Sequence, residues 1–371
     1  MARIAGTLAV TAAVLAGCTS AGTERASSAT PPAPNGASAP ARVTATGAQF
    51  HLDGRPWWPT GFDAYQLATD YTINDGCGAQ VDLDAYFGAL PPRSLTRFDL
   101  YASLVIDRKS GIPDFHKVDA IFEAAHRHDQ LVIPVLAAGA GGCEGGTFKD
   151  HDWYARGWRT APGAGRMTYQ QWLNVAVSRW RSQPSVAGWE PVGEPEPSRC
   201  RTASCPISER SCPSDAAQVL SRFFDDAGAI VHSLDPHRLI FSGLTGGDQC
   251  GTVGDDYSTI ARSSGVDVLD FHDYPDDTPP SFDYARELRI RVSQATAAGK
   301  PLSVNEIGMK AGSCLNLSER ADIVSARIRD QRAAGTAGAL LWAFVPDPRT
   351  DQCTFDIGPK DPLWNVIGST G

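Results

Sequence analysis

The chain has 371 residues, 42% hydrophobic and 20% charged, which is enough to bury one large core. Its formal net charge is -9, from 33 basic and 42 acidic residues. Because phosphate binding needs a basic face, this balance argues against a nucleic-acid partner.

The amino terminus predicts an export signal. Arg3 precedes an apolar run, residues 4 to 15, that is shorter than a membrane span requires. The run ends in Leu-Ala-Gly-Cys18, which resembles a bacterial lipoprotein signal with Cys18 as the lipidated residue. The alternative is an ordinary secretory peptide.

Two further segments follow the predicted signal of residues 1 to 18. Residues 19 to 41 are rich in Ser, Ala, Thr and Pro and predict a disordered tether. Residues 42 to 371 are expected to form the folded domain. We therefore expect an exported protein, either secreted or held on the outer face of the membrane by a lipid anchor at Cys18 alone.

Cysteine usage agrees with export. Eight cysteines remain once Cys18 is set aside, and an even number in an exported chain predicts disulfides whose pairing the sequence leaves open. The eight are Cys77, Cys143, Cys200, Cys205, Cys212, Cys250, Cys314 and Cys353. Metal ligation is the alternative, but no Cys-x-x-Cys pair occurs, so no metal and no cofactor are predicted.

Strand patterns recur along the domain after a short hairpin, residues 42 to 56, which carries an Asp53-Gly54 turn. Eight apolar runs are predicted as strands: Trp57 to Gly61, Leu95 to Tyr101, Leu131 to Ala137, Val186 to Gly193, Leu239 to Leu244, Val266 to His272, Leu302 to Glu306, and Ala339 to Phe344. Helical periodicity lies between them, over residues 114 to 128, 169 to 180 and 215 to 233, and again after Tyr284 and Ser318.

This alternation predicts an α/β fold, a single (β/α)8 TIM barrel with a short N-terminal hairpin. The alternative is an open doubly wound sheet. That fold would normally bring a glycine-rich phosphate loop after the first strand, and none occurs there. All eight cysteines follow strands, which places them at the carboxyl-end face of a barrel, where active sites are built.

Two glutamates end two of these strands in the same way. Glu194 closes the run from residue 186, and Glu306 closes the run from residue 300 before a turn at Gly308. Two carboxyl groups at equivalent strand ends of one barrel are the arrangement that glycosidic bond cleavage needs.

Six motifs occur in order along the domain: Phe50 to Gly61, Thr96-Arg97-Phe98, Trp189 to Pro195, Phe271-His272-Asp273-Tyr274, Lys300 to Gly308, and Leu341-Trp342-Ala343-Phe344. Their order and spacing resemble those of the retaining glycoside hydrolases of clan A, especially family five, the cellulase and β-mannanase family. The resemblance covers about residues 42 to 368. The resemblance implies an acid/base role for Glu194, a nucleophile in Glu306, support of that nucleophile by Arg97, and a platform tryptophan in Trp342.

The remaining predictions concern residues near Glu194 and Glu306. Tyr274 is predicted to donate a hydrogen bond to Glu306, and His272 to contact the glycone. The acid/base role requires a raised pKa for Glu194. Glu190 and Glu196 are substitutes for Glu194.

Trp153 and Trp158, in the loop after the third strand, are candidate additional sugar platforms. One departure from the family is Gly193, which stands where the family usually has an asparagine that contacts the sugar 2-hydroxyl.

The sequence therefore predicts a retaining hydrolase that cleaves a β-linked polysaccharide or oligosaccharide, of mannan or glucan type, by double displacement. We expect it to act as a monomer. A carbohydrate-binding lipoprotein on a degenerate barrel, motivated by Gly193, and an envelope-remodelling transglycosylase that uses the same glutamates are the alternatives.

Overall fold

The computed structural model describes residues 40 to 275 and 283 to 369. The predicted signal peptide, Cys18 and nearly all of the predicted tether lie outside these residues. Within the described part of the chain, no helix is long and apolar enough to cross a membrane.

The domain begins with a three-stranded antiparallel sheet made of β1 (Val43–Thr46), β2 (Gln49–Leu52) and β3 (Arg55–Trp57). Asp53 and Gly54 connect β2 to β3, both with positive φ (51° and 77°), as a two-residue hairpin turn requires. The predicted hairpin is thus present, but a further strand, β1, pairs with β2.

Eight parallel strands then form the barrel. They are β4 (Thr60–Asp63), β5 (Leu95–Asp99), β6 (Leu131–Val135), β7 (Gly188–Trp189), β8 (Leu239–Ile240), β9 (Leu269–Asp273), β10 (Leu302–Gly308) and β12 (Ala339–Trp342). Six form one sheet in the order β6-β5-β4-β12-β10-β9, and β7 pairs with β8. Bridges between Val135 and Glu190 and between Phe241 and Val268 join the two groups and close the ring. The predicted (β/α)8 barrel is confirmed.

Two of the predicted strands have different bounds. The first barrel strand is β4, not the predicted Trp57 to Gly61, because Trp57 pairs with Phe50 in the antiparallel sheet and the chain enters the barrel only at Thr60. The fourth is reduced to β7. Its predicted continuation contains Pro191, which has no N–H to donate, and contacts β6 only through single bridges.

The helices cover the outside of the barrel, and each of the five predicted periodicities corresponds to one of them. They are α1 (Leu83–Ala89), α2 (His116–Arg127), α3 (Trp158–Thr160), α4 (Tyr169–Trp180), α5 (Ala216–Leu234), α6 (Asp256–Ala261), α7 (Tyr284–Ala297), α8 (Leu317–Ala334) and α9 (Leu363–Ser369). α4 begins with a capping box in which the Thr168 hydroxyl accepts from the Gln171 amide and the Gln171 side chain accepts from the Thr168 amide. In α5, Phe223 and Phe224 are buried against the core.

The antiparallel sheet closes the amino-terminal end of the barrel. Phe50 and Leu52 pack in a separate apolar cluster with Leu95 and Leu131, the first residues of β5 and β6. The opposite, carboxyl end is therefore the open end.

Disulfides hold the loops at that open end. The pairs are Cys77–Cys143, Cys200–Cys205, Cys212–Cys250 and Cys314–Cys353. Three of them link the loop after one strand to the loop after another. A short antiparallel pair, β11 (Ala311–Gly312) and β13 (Cys353–Thr354), accompanies the last of them.

Candidate active site

Glu194 and Glu306 face each other at the open end. Glu306 lies within β10, and Glu194 follows β7 with a φ of 52°, a left-handed conformation that costs a non-glycine residue energy and is concentrated at functional sites. A carboxyl oxygen of one glutamate lies within 4.8 Å of a carboxyl oxygen of the other. Retaining glycosidases hold their two carboxyl groups about 5–5.5 Å apart, and inverting ones about 6.5–9.5 Å.

Arg97 binds Glu306 from below and is itself held by two further acids. Its Nη1 donates to Glu306 Oε1 over 2.7 Å and also to Asp63 Oδ2. Its Nε and Nη2 form a bidentate pair with Glu190, at 2.7 and 2.6 Å. All four side chains are buried, so one guanidinium group donates to three carboxyl groups away from water.

His272 and Tyr274 complete the contacts of the two glutamates. His272 Nδ1 lies 2.8 Å from Glu194 Oε1 and 3.4 Å from Glu306 Oε2. The Tyr274 hydroxyl donates to Glu306 Oε2, as the sequence predicts. A Cβ at Gly308 would lie 2.2 Å from the Tyr274 ring, which explains a glycine at this turn. The structure places His272 between the two carboxyl groups, a position that the predicted glycone contact does not anticipate.

The charges of this cluster determine its pKa values. Burial alone would lower the pKa of His272, but the Glu306 and Glu194 carboxylates raise it to about 9. Burial works to raise the pKa of Glu194, yet the hydrogen bond and charge of His272 hold it below its ordinary value. Burial raises the pKa of Glu306, against His272 and Arg97. In the free protein the proton of the pair is therefore on His272, and the raised pKa expected for Glu194 is not present.

Asp63 is the acid that burial affects most clearly. Burial raises its pKa well above the ordinary value, although Arg97 opposes this. Its Oδ1 has no hydrogen-bond partner within the described residues. Burial thus favours the protonated form of Asp63, while the charge of Arg97 favours its carboxylate.

A cavity of about 960 Å³ opens above the pair. The Trp342 ring lies in its wall and stacks on Tyr65 with ring centres 5.4 Å apart and an interplanar angle of 16°. A flat, partly exposed aromatic surface of this kind suits the apolar face of a sugar ring.

Gly193 lies in the cavity wall beside Arg97. A Cβ at this position would lie 3.0 Å from Arg97 Nη2, tighter than nearly all real contacts. The bidentate pair of Arg97 with Glu190 thus occupies the space that a side chain at residue 193 would need.

The alternatives from the sequence occupy other positions. Glu190 is bound to Arg97, and Glu196 binds Arg210 at 2.5 Å and accepts from Ser198 at 2.6 Å, so neither substitutes for Glu194 in the cavity. Trp158 is fully buried and offers no face to a sugar, while Trp153 lines a separate pocket.

Sequence reasoning did not identify Asp63 or Asp99 as site residues. It named Glu190 but did not predict its pairing with Arg97. Each lies on or directly after a barrel strand. Two-residue alternation from Arg97 would have indicated that Asp99 points to the same side, toward the barrel mouth.

The triplet of Glu194, His272 and Glu306 also has the spacing of a metal site. The donor set does not fit one well. A pKa of about 9 leaves His272 Nδ1 protonated at neutral pH, so it has no lone pair to offer. Arg97 moreover places a positive charge 2.7 Å from Glu306 Oε1.

The barrel and the facing carboxyl pair are similar to those of retaining glycoside hydrolases. No family model matches the sequence. The chain is nevertheless 23% identical over 308 residues to a probable mannan endo-1,4-beta-mannosidase C of Aspergillus terreus, covering 72% of both chains. It is 25% identical over 358 residues to a probable mannan endo-1,4-beta-mannosidase F of Aspergillus oryzae, covering 85% of this chain and 68% of the relative.

Among solved structures, the endo-1,4-beta-mannanase of Rhizomucor miehei superposes with a TM-score of 0.66 at 19% identity, covering 88% of this chain and 96% of that one. The fold is therefore the same. The family resemblance drawn from the strand-end motifs is confirmed.

Proposed function

We propose that this protein is a retaining glycoside hydrolase that cleaves β-1,4-linked mannan by double displacement. The separation of the Glu194 and Glu306 carboxyl oxygens, within 4.8 Å, is the observation that carries the mechanism. The names of the relatives supply the choice of mannan. The intact carboxyl pair and its Arg97 support favour turnover over carbohydrate binding alone.

Glu306 attacks the anomeric carbon as a carboxylate while the bond to the leaving oxygen breaks. Arg97 and Tyr274 each donate to one Glu306 oxygen, which fixes its orientation and leaves the attacking lone pair directed at the sugar. Glu194 gives its proton to the leaving oxygen. It then takes a proton from the water that releases the sugar from Glu306.

His272 supplies the proton that Glu194 needs. The proton lies on His272 Nδ1, at the end of a 2.8 Å hydrogen bond to Glu194 Oε1. Transfer along this bond converts Glu194 to its acid form and leaves His272 neutral, so the two groups titrate as one unit. A sugar that excludes water from the cleft would favour this neutral pair over the ion pair.

The test is the loss of turnover in Glu306→Gln. We expect its initial rate of reducing-end release from β-1,4-mannan to fall by roughly 10⁴-fold or more, since nucleophile and support act as a unit. Glu123→Gln, an exposed glutamate on α2, is the matched control and should keep the full rate. An unaffected rate in Glu306→Gln would refute the assignment.

Retention of the anomeric configuration can be measured separately. The first product formed from mannopentaose should be the β-anomer by proton NMR, before mutarotation, because two inversions at one carbon restore its configuration. An α-anomer as the first product would contradict double displacement. Addition of an acceptor sugar distinguishes hydrolysis from transglycosylation by the mass of the products.

The cysteines support an extracellular location. Four disulfides are typical of an extracellular protein. We infer further that it acts as a monomer held by a lipid at Cys18. Expression of the full chain with radiolabelled palmitate should label the wild type and leave Cys18→Ala unlabelled and released to the medium. An unlabelled wild type would favour a secretory peptide.

A further inference from the structure

A carboxyl group in the cleft has no part in the chemistry described above. Asp99 ends β5, two residues beyond Arg97, and lines the cavity while only 9% exposed. Residues two apart on a strand face the same side and lie about 6.6 Å apart along it. Asp99 is therefore nearer the barrel mouth than Arg97 and on the same side of β5.

The hydrogen-bonding capacity of Asp99 is mostly unused. The Tyr101 side chain hydrogen-bonds to it. Cys77 Sγ lies 3.7 Å from Oδ2, but this sulfur is in a disulfide and has no proton to donate. Within residues 40 to 275 and 283 to 369, no cation lies within ion-pair distance of Asp99. A carboxylate offers about four acceptor positions, so Asp99 can accept further hydrogen bonds from the cavity that it lines.

The cavity lining indicates which part of the substrate Asp99 would meet. Glu194 protonates the leaving oxygen in the proposed mechanism, so the aglycone would leave beside Glu194 and its loop, where Ile207 and Arg210 line the cavity. Asp99 lines the same cavity as Trp342, the platform on which the glycone would stack. The Tyr101 side chain and Cys77 Sγ contact the Asp99 carboxyl within the cavity wall.

We propose that Asp99 is a substrate-binding residue that accepts hydrogen bonds from hydroxyl groups of the glycone. This inference rests on the proposed function and adds a specificity determinant to it. A carboxylate can accept hydrogen bonds from two neighbouring hydroxyl groups at once. These hydrogen bonds are strongest when water is excluded. Burial raises the pKa of Asp99 to about 7, and hydrogen bonds from sugar hydroxyl groups would offset that penalty by favouring the carboxylate.

The test separates binding from catalysis. Full-length Glu306→Gln, which leaves sugars uncleaved, is titrated calorimetrically with mannotetraose. Adding Asp99→Asn should weaken binding about tenfold or more, because hydrogen bonds to a charged group are lost. Asp75→Asn, the same change at a side chain 89% exposed, is the control and should bind as the parent does. Asp99→Ser provides a second variant of smaller size.

In the enzyme with Glu306 intact, Asp99→Asn should raise KM for mannotetraose with a smaller change in kcat, whereas a structural role alone would lower the melting temperature and kcat together. Affinity within twofold of the parent in both Asp99 variants would overturn the inference while mannan turnover by the wild type stands. A wild type that neither binds mannotetraose nor cleaves mannan would overturn the proposed function and this inference with it.

Discussion

Arg97 carries one positive charge that three carboxyl groups share. Glu190 accepts from Nε and Nη2 and fixes the guanidinium plane, while Nη1 donates to both Glu306 and Asp63, an acid whose pKa burial raises. The sequence predicts the contact between Arg97 and Glu306 from the strand-end motifs. It does not predict Asp63 or Glu190 as partners, because the identity of a buried neighbour depends on the register between strands that are far apart in the chain.

Glu194 and Glu306 should respond differently to azide when each is replaced by alanine. In Glu194→Ala, azide enters the vacated space and attacks the sugar bound to Glu306, so dinitrophenyl β-mannobioside should give the β-azide and recover its rate. In Glu306→Ala, azide replaces the nucleophile itself and gives the α-azide. Product NMR distinguishes the two. The reverse pattern would exchange the assigned roles.

The raised pKa of His272 predicts how the stability of the fold depends on pH. Its pKa is raised in the folded protein, to about 9 from an ordinary value of about 6.5. The ionised form therefore stabilises the fold fully below about pH 6.5, and this contribution is lost as the pH rises through about 9.

Urea unfolding of the wild type and His272→Asn at pH 6 and pH 9.5 measures the effect. The difference in unfolding free energy should shrink by up to about 3 kcal/mol at the higher pH, since one pKa unit corresponds to about 1.4 kcal/mol. A difference that stays constant between the two pH values would contradict a charged His272.

At the scale of elements, the long periodic helices were predicted almost to the residue, as for α4, and the short strands were not. A helix carries its own periodic signal over several turns, whereas β7 and β8 contain two residues each and are defined by hydrogen bonds to neighbours. The same reason explains why the first barrel strand was predicted too early in the chain. Trp57 is in the antiparallel sheet because it pairs with Phe50, and the sequence does not show this pairing.

The disulfides differ in how much chain they enclose. Cys212–Cys250 spans 38 residues and joins the loop after β7 to the loop after β8, while Cys200–Cys205 spans 5. Loop-closure entropy predicts that replacing the first pair by serines destabilises the fold by roughly 2 kcal/mol more than replacing the second. Urea unfolding of the two double variants checks this order, and equal losses would contradict it.

At the scale of the whole molecule, the barrel separates a closed end from a working end. Phe50 is 1% exposed in the closed end and packs against Phe241 with ring centres 6.0 Å apart. Phe50→Ala should therefore cost about 3–5 kcal/mol of unfolding free energy.

The same variant should leave kcat/KM on mannan unchanged at 20 °C, because Glu194 and Glu306 lie at the other end of the strands. Phe50→Leu keeps most of the volume and should cost less than about 1.5 kcal/mol. A loss of kcat/KM in a folded Phe50→Ala protein would show that the two ends are coupled.

The entry of the chain at Val43 has a consequence for orientation. Because β1 lies at the closed end of the barrel, an attachment through the preceding residues would join the domain at that end. The catalytic mouth, at the opposite end, would stay clear of the attachment and accessible to a long polymer.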